Sequence, residues 1–189
     1  MRVLGAIIAG GKSSRMGQEK ALMAWQGKPL IAHVVERLVP QVEALAINVN
    51  GDAQRFGFLG LPVFPDELHD IHTPLAGLHA ALHWAAHHSF DAVLTVPCDG
   101  PFLPLDLRAR LAAQTPAVAA SGGQTHYLTG LWPVSLRQAL EAALASGLRR
   151  AQDFVALAEA KSVEWPTIPR DPFANINTPE DFNRLSEKP

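Results

Sequence analysis

The apolar stretch VLGAIIA (residues 3–9) runs directly into the glycine-rich stretch GGKSSRMGQEK (residues 10–20), and together these residues decide the fold. The first stretch is bounded by glycine and contains β-branched residues, which is typical of a buried strand in a parallel sheet. The second contains three glycines, two serines and the cations Lys12, Arg15 and Lys20. Glycine lets backbone N–H groups approach an anion, and cations neutralise phosphate oxygens. The two stretches therefore predict a strand followed by a triphosphate-binding loop.

Spacing excludes two common phosphate-binding loops. The Walker pattern requires a glycine five positions before the glycine of Gly11-Lys12-Ser13, and Ala6 occupies that position. The dinucleotide-binding fingerprint requires Gly-x-Gly-x-x-Gly, and Gly10-Gly11-Lys12 does not begin it. The loop is therefore neither a P-loop nor a dinucleotide-binding glycine turn.

Length and composition indicate one globular domain spanning residues 1–189. The chain is 48% hydrophobic and 18% charged, and its net charge of −2 argues against a general nucleic-acid surface. It has no apolar run of about eighteen residues, so we expect no membrane span. The first strand follows Met1 so closely that we expect no signal peptide. The single cysteine, Cys98, cannot form an internal disulfide, and a cytoplasmic location is expected.

Strand and helix patterns alternate along the chain, which predicts an α/β fold. The expected architecture is a single-domain three-layer sandwich, with a mostly parallel sheet and helices on both faces. Predicted strands cover residues 3–9, 44–49, 61–64, 91–96, 117–121 and 127–132. Predicted helices cover about 29–40, 52–58, 77–88, 105–114, 135–145 and 150–158, and a further helix follows Thr178 as N-cap with Pro179 at its first position.

Polar residues follow each of the first four predicted strands. They are the 10–20 loop, Asn48, Asp66 and Asp99. Ligands of open parallel sheets bind outside the carboxyl ends of the strands, so we expect these residues to form one site. Asp99 follows an apolar run, where a carboxylate is costly unless something pairs with it. Mg²⁺ takes one or two protein carboxylates and completes its shell with phosphate and water, which makes Asp99 the candidate metal ligand.

Residues 9–20 match the pattern Ala-Gly-Gly-x-Ser-x-Arg-Met-Gly-x-x-Lys. This pattern resembles the nucleotide loop of the Rossmann-like nucleotidyltransferases, and among them most resembles the molybdenum cofactor guanylyltransferases. The resemblance implies transfer of GMP from GTP to the phosphate of molybdenum-molybdopterin, with Mg²⁺ as cofactor and pyrophosphate as leaving group. It implies that residues 1–100 bind GTP and Mg²⁺, and that residues 101–189 bind molybdopterin. Molybdoenzyme chaperones or other cofactor-biosynthesis proteins are candidate partners.

The resemblance also assigns roles to individual residues. It makes Lys20, Arg15 and Asp99 catalytic, with Lys20 on the triphosphate and Arg15 on the departing pyrophosphate. The segment VPCDGPF (residues 96–102) looks like the family's metal motif, with Asp99 in the metal position. The pair Gly10-Gly11 and the Pro-Cys-Asp form favour GTP over CTP. The implied GTP-binding residues are Ile8, Ala9, Gly10, Gly11, Lys20, Asn48, Asp66 and Asp99.

The implied molybdopterin site lies in the second half of the chain. Residues 175–179 resemble the family's Asn-x-Asn-Thr-Pro segment, in which Asn175 and Asn177 would contact pterin edges. Arg149 and Arg150 would bind its phosphate, and His126 occupies a polar strand position. The alternative is that these residues are structural caps and surface charges.

Three other functions remain open from the sequence. A molybdopterin cytidylyltransferase or a sugar-phosphate nucleotidyltransferase would share the fold, and a non-catalytic GTP-binding chaperone of molybdoenzymes would share the nucleotide loop. His79, His83 and His87 recur every four residues and would share one side of a helix. They indicate either a partly solvated polar face or a site for zinc or nickel.

Overall fold

The computed structural model of the protein describes residues 1–9, 20–68, 70–176 and 181. Its strands are β1 (Val3–Ile8), β2 (Ala24–Trp25), β3 (Lys28–Pro29), β4 (Ala44–Asn48), β5 (Val63–Phe64), β6 (Ala92–Pro97), β7 (Ala117–Ser121), β8 (Gln124–Pro133) and β9 (Lys161–Trp165). Its α-helices are α1 (Leu30–Leu38), α2 (Pro74–His87), α3 (Leu107–Ala112), α4 (Arg137–Ala145) and α5 (Ala151–Leu157). Short 3-10 helices cover Lys20–Leu22, Val39–Gln41, Ala53–Leu59 and Val134–Leu136.

A seven-stranded sheet in the order β5-β4-β1-β6-β8-β7-β9 forms the centre of the molecule. The pairs β5/β4, β4/β1, β1/β6 and β7/β9 are parallel, and only β8 runs antiparallel to its neighbours β6 and β7 among these described strands. Both halves of the chain contribute strands to this one sheet. The predicted α/β fold with a mostly parallel sheet is confirmed.

The register aligns the carboxyl ends of four adjacent strands. Ile8 at the end of β1 is paired with Asn48 of β4 and with Pro97 of β6, and Asn48 is paired with Phe64 of β5. The chain passes outward from β1 to β4 and β5, and then crosses over to β6 on the other side of β1. The switch point of the topology therefore lies between β1 and β6, where open α/β sheets bind their ligands.

Helices cover both faces because alternate residues of the central strands are apolar on each side. Val3 and Ile7 of β1 belong to a core cluster that also contains residues of α1 and α3. Leu4 and Ala6 belong to a second cluster, which contains residues of α2, α4 and α5. Val3, Leu4, Ala6 and Ile7 are thus buried on one face or the other, as a parallel strand between two helical layers requires.

Two elements were not expected from the sequence. The edge strand β9 buries Val163 and Trp165 but exposes Ser162 and Glu164, so its apolar content is too low to distinguish it from a loop. The hairpin of β2 and β3 has only two residues in each strand. Such short elements are fixed by tertiary packing, because local pattern alone carries little signal over two residues.

The boundaries of several predicted elements shift by a few residues. Helix α2 begins at Pro74 instead of residue 77, because the Thr73 hydroxyl caps it by accepting from the Leu75 N–H at 3.2 Å. Helix α3 is shorter than the predicted 105–114 helix. The predicted cap of Thr178 and Pro179 lies outside the described residues. Within the described ranges, every helix is too short or too polar to cross a membrane.

Candidate active site

Lys20 and Asp99 meet at the switch point of the sheet. Asp99 lies two residues beyond β6, and Lys20 is the first residue of the 3-10 helix Lys20–Leu22. Lys20 Nζ is 3.7 Å from Asp99 Oδ2, with side chains 23% and 15% exposed. Lys20, the last residue of the motif that follows β1, therefore lies beside Asp99 of the motif that follows β6.

Burial raises the pKa of the Asp99 carboxyl, and the nearby Lys20 ammonium opposes this increase. Desolvation is the larger influence, so one lysine does not fully compensate the buried carboxylate. A second cation at Asp99 would complete that compensation. A carboxylate oxygen is also the ligand type that Mg²⁺ prefers, so the residues present fit a magnesium site.

The segment after β9 is anchored to Asp99 through the backbone. The N–H of Ile176 donates to the Asp99 carbonyl at 3.0 Å, and the Ile176 side chain is buried against Trp25 and Leu30. Asn175 Oδ1 is 3.6 Å from the position that a Cβ on Gly100 would occupy. The predicted molybdopterin residue Asn175 therefore lies next to the predicted metal segment. Asn177 lies outside the described residues.

Asp66, which follows β5, is held by two asparagines at the end of β4 and just beyond it. Asn48 Nδ2 donates to Asp66 Oδ1 at 2.9 Å, and Asn50 Nδ2 donates to Asp66 Oδ2 at 2.6 Å. The Asp66 N–H donates in return to Asn50 Oδ1 at 2.9 Å. Asn50 was missed from the sequence as a site residue. Asn50 lies two residues after Asn48 in the turn Asn48-Val49-Asn50, and this position was the signal that could have identified it.

Asn48 is fully buried, so its side chain positions Asp66 and does not face solvent. Its Oδ1 lies beneath the first turn of α2 and has no hydrogen-bond partner in the part of the chain that the structure describes. A Cβ on Gly77 would stand 2.8 Å from this Oδ1 and 2.9 Å from Ile8 Cγ2. Glycine is therefore required at residue 77 to let α2 approach the ends of β1 and β4.

The end of β1 is joined to β4 at the start of the loop. The Ala9 N–H donates to the Asn48 carbonyl at 2.9 Å, and Ile8 and Ala9 are half-buried. Both therefore lie at the sheet edge where the resemblance predicts the nucleotide pocket. The predicted site residues Gly10, Gly11 and Arg15 lie outside the described residues, as does Lys12.

A cleft of about 330 Å³ adjoins the Asp99 segment. Volumes of this order accommodate small ligands. Its walls come from the start of α2, the segment that contains Asp99, strand β8, the start of α5 and the segment after β9; the lining residues include Pro74, Pro97, Gly100, His126, Thr129, Ala151, Phe173 and Asn175. The predicted molybdopterin residues His126 and Asn175 are thus brought together.

Arg149 and Arg150 do not line this cleft. The Arg149 guanidinium donates to the carbonyls of Leu144 and Leu148 at 2.7 and 2.8 Å, and it satisfies carbonyls at the end of α4. Arg150 is largely exposed and donates to Asp153 Oδ2 at 2.9 Å. These contacts favour the alternative of a structural cap and a surface charge.

The hydrogen bonds around His126 determine which of its ring nitrogens carries the proton. Ser121 Oγ donates to Asp171 Oδ1 at 2.8 Å and lies 2.8 Å from His126 Nε2. Because the serine proton is directed to Asp171, His126 Nε2 donates to Ser121 and Nδ1 remains an acceptor in the neutral ring. Burial lowers the pKa of His126, and Asp171 and Glu164 oppose this effect. Ser121 is buried and its proton does not face the histidine, so this trio is not a nucleophilic triad.

Comparison with known proteins identifies relatives over nearly the whole chain. Residues 5–162 match the model of the MobA-like NTP transferase domain. A molybdenum cofactor guanylyltransferase of Rhodobacter capsulatus is 48% identical over 189 residues, which cover 100% of this chain and 97% of that protein. Its counterpart in Bradyrhizobium sp. (strain ORS 278) is 46% identical over 190 residues, which cover 95% and 90%.

The fold has a similar counterpart among solved structures. The molybdopterin-guanine dinucleotide biosynthesis protein A of Archaeoglobus fulgidus superposes with a TM-score of 0.71 at 26% sequence identity. The match covers 97% of this chain and 97% of that one. The similarity therefore includes both the parallel half of the sheet and the half that bears the cleft.

Proposed function

The chain belongs to the MobA-like NTP transferase family, and we propose that it transfers GMP from GTP to the terminal phosphate of molybdenum-molybdopterin and releases pyrophosphate. We infer the substrates from the relatives, which are molybdenum cofactor guanylyltransferases and a molybdopterin-guanine dinucleotide biosynthesis protein. The structural observation that supports this proposal is the Lys20–Asp99 pair at the switch point between β1 and β6, which lies beside the cleft of about 330 Å³.

The family generally uses a divalent metal, and we propose Mg²⁺ with Asp99 as its protein ligand. The buried carboxylate, incompletely compensated by Lys20, supports this assignment. When bound, Mg²⁺ supplies neutralisation of the triphosphate oxygens. Lys20, the partner of Asp99 in this pair, holds the triphosphate and neutralises the charge that develops on the leaving group. Arg15 shares that second role.

The reaction needs no strong general base. The acceptor phosphate is already anionic at neutral pH, so one of its oxygens can attack the α-phosphorus of GTP directly. A new P–O bond forms there, the bond to the bridging oxygen of the β-phosphate breaks, and pyrophosphate leaves with that electron pair. The barrier comes from bringing anions together, so catalysis consists of positioning and charge neutralisation. The lack of a nucleophilic triad at Ser121 agrees with this chemistry.

We propose that the nucleotide binds along the ends of β1, β4 and β5. Ile8, Ala9, Gly10 and Gly11 would line the base pocket through their backbone groups. The Asp66 carboxylate keeps lone pairs beyond those used by its two asparagines, and these accept N–H or O–H donors of the nucleotide. In this proposal Asn48 acts by holding Asp66 in place.

We propose that the cleft beside β8 binds the pterin. His126 offers an acceptor at Nδ1, Asn175 offers both a donor and an acceptor, and Phe173 provides an apolar wall. A pterin carries adjacent N–H donors and ring acceptors, which this mixture of groups can match. The cleft reaches Pro97 and Gly100, the neighbours of the Asp99 segment, so a phosphate at that end would meet the triphosphate.

The test is pyrophosphate release with Mg²⁺ and molybdenum-molybdopterin, with GTP, CTP, ATP and UTP supplied separately. We expect release with GTP, at least a hundredfold loss in Asp99→Ala, and normal release in Asp91→Ala. Asp91 is a matched control because it is an exposed aspartate just before the opposite end of β6. Release with CTP instead would contradict the base assignment. Nucleotide binding without any pyrophosphate release would favour the non-catalytic chaperone.

A further inference from the structure

Three metal-binding side chains converge between α2 and the segment that follows β5. His79 and His83 are one helical turn apart, and Glu67 lies in the segment after β5. One possible ligand atom from each residue lies within 4.8 Å of the other two. His83 Nδ1 is already 3.1 Å from Glu67 Oε2.

His79 is the unusual member of this cluster. It is only 2% exposed, yet among the described residues neither of its ring nitrogens has a hydrogen-bond partner, and His83 Nε2 is also buried without one there. Buried polar atoms are almost always paired, because an unpaired one loses its hydration without compensation. The orphaned nitrogens of His79 therefore indicate a place for a ligand, and a single metal ion would use one of them.

A metal cation suits these nitrogens. A neutral imidazole has a free lone pair on one ring nitrogen, and this is the form that coordinates a metal. A carboxylate on the exposed side of the cluster supplies the negative charge that a divalent ion needs.

We infer that Glu67, His79 and His83 bind one Zn²⁺ ion, with the fourth position open to water. Two imidazoles and one carboxylate are a zinc ligand set that leaves one position open. Mg²⁺ is disfavoured here because it prefers oxygen ligands. Ligands at about 2.0–2.2 Å from a tetrahedral zinc stand roughly 3.3–3.5 Å apart. The His83–Glu67 distance already lies near this value, and the widest separation in the cluster must close by only about 1.5 Å.

The third ligand differs from the one that the sequence suggested. His87 shares the four-residue spacing, but it is exposed and is not part of the cluster. Glu67 takes its place from a different element. Because Glu67 directly follows Asp66, zinc would tie the segment that carries Asp66 to α2.

The test uses tag-free protein, stripped with a chelator and kept in excess Mg²⁺ without nucleotide. Co²⁺ is titrated as a spectroscopic probe, and Zn²⁺ is then added to displace it. We expect one equivalent of Co²⁺ to give the visible d–d absorption of a four- or five-coordinate site, and one equivalent of Zn²⁺ to abolish it. Glu67→Gln and His83→Ala should each weaken binding at least tenfold.

His87→Ala is the matched control, because it removes an exposed histidine from the same helix. It should bind Co²⁺ as the wild type does. The inference is overturned if the wild type binds no more Co²⁺ than His83→Ala, or if His87→Ala loses binding to the same extent. Circular dichroism checks the fold of each variant. Should His83→Ala fail to fold, Glu67→Gln decides alone, since its side chain is 47% exposed and its shape is conserved.

Discussion

Lys20 Nζ and Asp99 Oδ2 are 3.7 Å apart where β1 and β6 end, close enough to attract each other but beyond the length of an ordinary hydrogen bond. The two groups come from loops that follow adjacent strands on either side of the switch point. The lysine is thus placed to bind a phosphate beside the carboxylate that we propose as the metal ligand.

Removal of the Lys20 ammonium should slow the reaction. We expect Lys20→Ala to lower kcat by about 10²-fold or more, which is the usual loss when one charge-stabilising donor is removed from an active site. Lys20→Arg should retain part of the activity, because it keeps the charge with a different geometry. Steady-state pyrophosphate release measures both. Lys28→Ala is the matched control, since Lys28 of β3 pairs with Glu36 of α1, and an equal loss there would contradict the role of Lys20.

The ionised carboxylate of Asp99 should destabilise the folded protein when no metal is bound to it. Its pKa is raised by burial, so the folded state binds the proton more tightly than the unfolded state. Stability is therefore lost as the pH rises from the unfolded value of about 3.9 through the raised folded value. At neutral pH and without metal, we expect Asp99→Asn to have a higher Tm than the wild type, and each 1 kcal/mol gained would raise it by roughly 2–4 °C.

Thermal unfolding over a range of pH measures this effect. The difference in Tm between Asp99→Asn and the wild type should shrink as the pH falls, because the wild-type carboxyl then becomes neutral as well. A difference in Tm that is independent of pH would show that ionisation of Asp99 is not its cause. Added Mg²⁺ should stabilise the wild type and leave Asp99→Asn nearly unchanged.

A methyl group at residue 77 should disturb nucleotide binding from beneath. The Cβ of Gly77→Ala would stand 2.8 Å from Asn48 Oδ1, which forces Asn48 away from Asp66. Overpacking of this kind costs about 1–3 kcal/mol, against roughly 1 kcal/mol gained in helix propensity. We expect a net loss of up to about 2 kcal/mol in stability and a KM for GTP that rises more than kcat falls. Gly57→Ala is the control, because its added Cβ would meet no side chain or distant backbone of the described residues within 4 Å. Similar kinetics for both variants would contradict the Asn48–Asp66 coupling.

His126 should affect the pterin and not the nucleotide. Because burial lowers its pKa, the ring is neutral at neutral pH and its Nδ1 can accept a hydrogen bond. The folded protein keeps this ring neutral, so stability is unaffected above the unfolded pKa of about 6.5. It decreases as the pH falls from that value through the lower pKa of the folded state. We expect His126→Ala to raise the KM for the pterin about tenfold or more, as loss of roughly 1.4 kcal/mol implies, with an unchanged KM for GTP.

The pH dependence provides an independent check on His126. The KM for the pterin should rise in acidic solution for the wild type and stay flatter in His126→Ala. A variant that raises the KM for GTP instead would move His126 out of the acceptor site. His87→Ala serves as the surface control in both measurements.

The sequence predicted the features that repeat along the chain, namely the buried strands, the alternating helices and the polar residues at strand ends. Asn48, Asp66 and Asp99 could be found because each interrupts an apolar run at a position that parallel topology places on one edge. Asn50 was missed although its place in the turn after Asn48 was a usable signal, whereas the contact of Glu67 with His83 joins segments that are distant in sequence. The exposed residues of β9 and the capping role of Arg149 were missed for the same reason.

Transfer of isotope from labelled GTP to the pterin tests the proposed reaction most directly. The protein is incubated with Mg²⁺, molybdenum-molybdopterin and GTP labelled at either the α- or the γ-phosphorus, and the pterin product is then separated. We expect the α label in the pterin and the γ label in pyrophosphate, both dependent on Asp99. Appearance of the γ label in the pterin, or retention of both labels in GTP, would contradict guanylyl transfer.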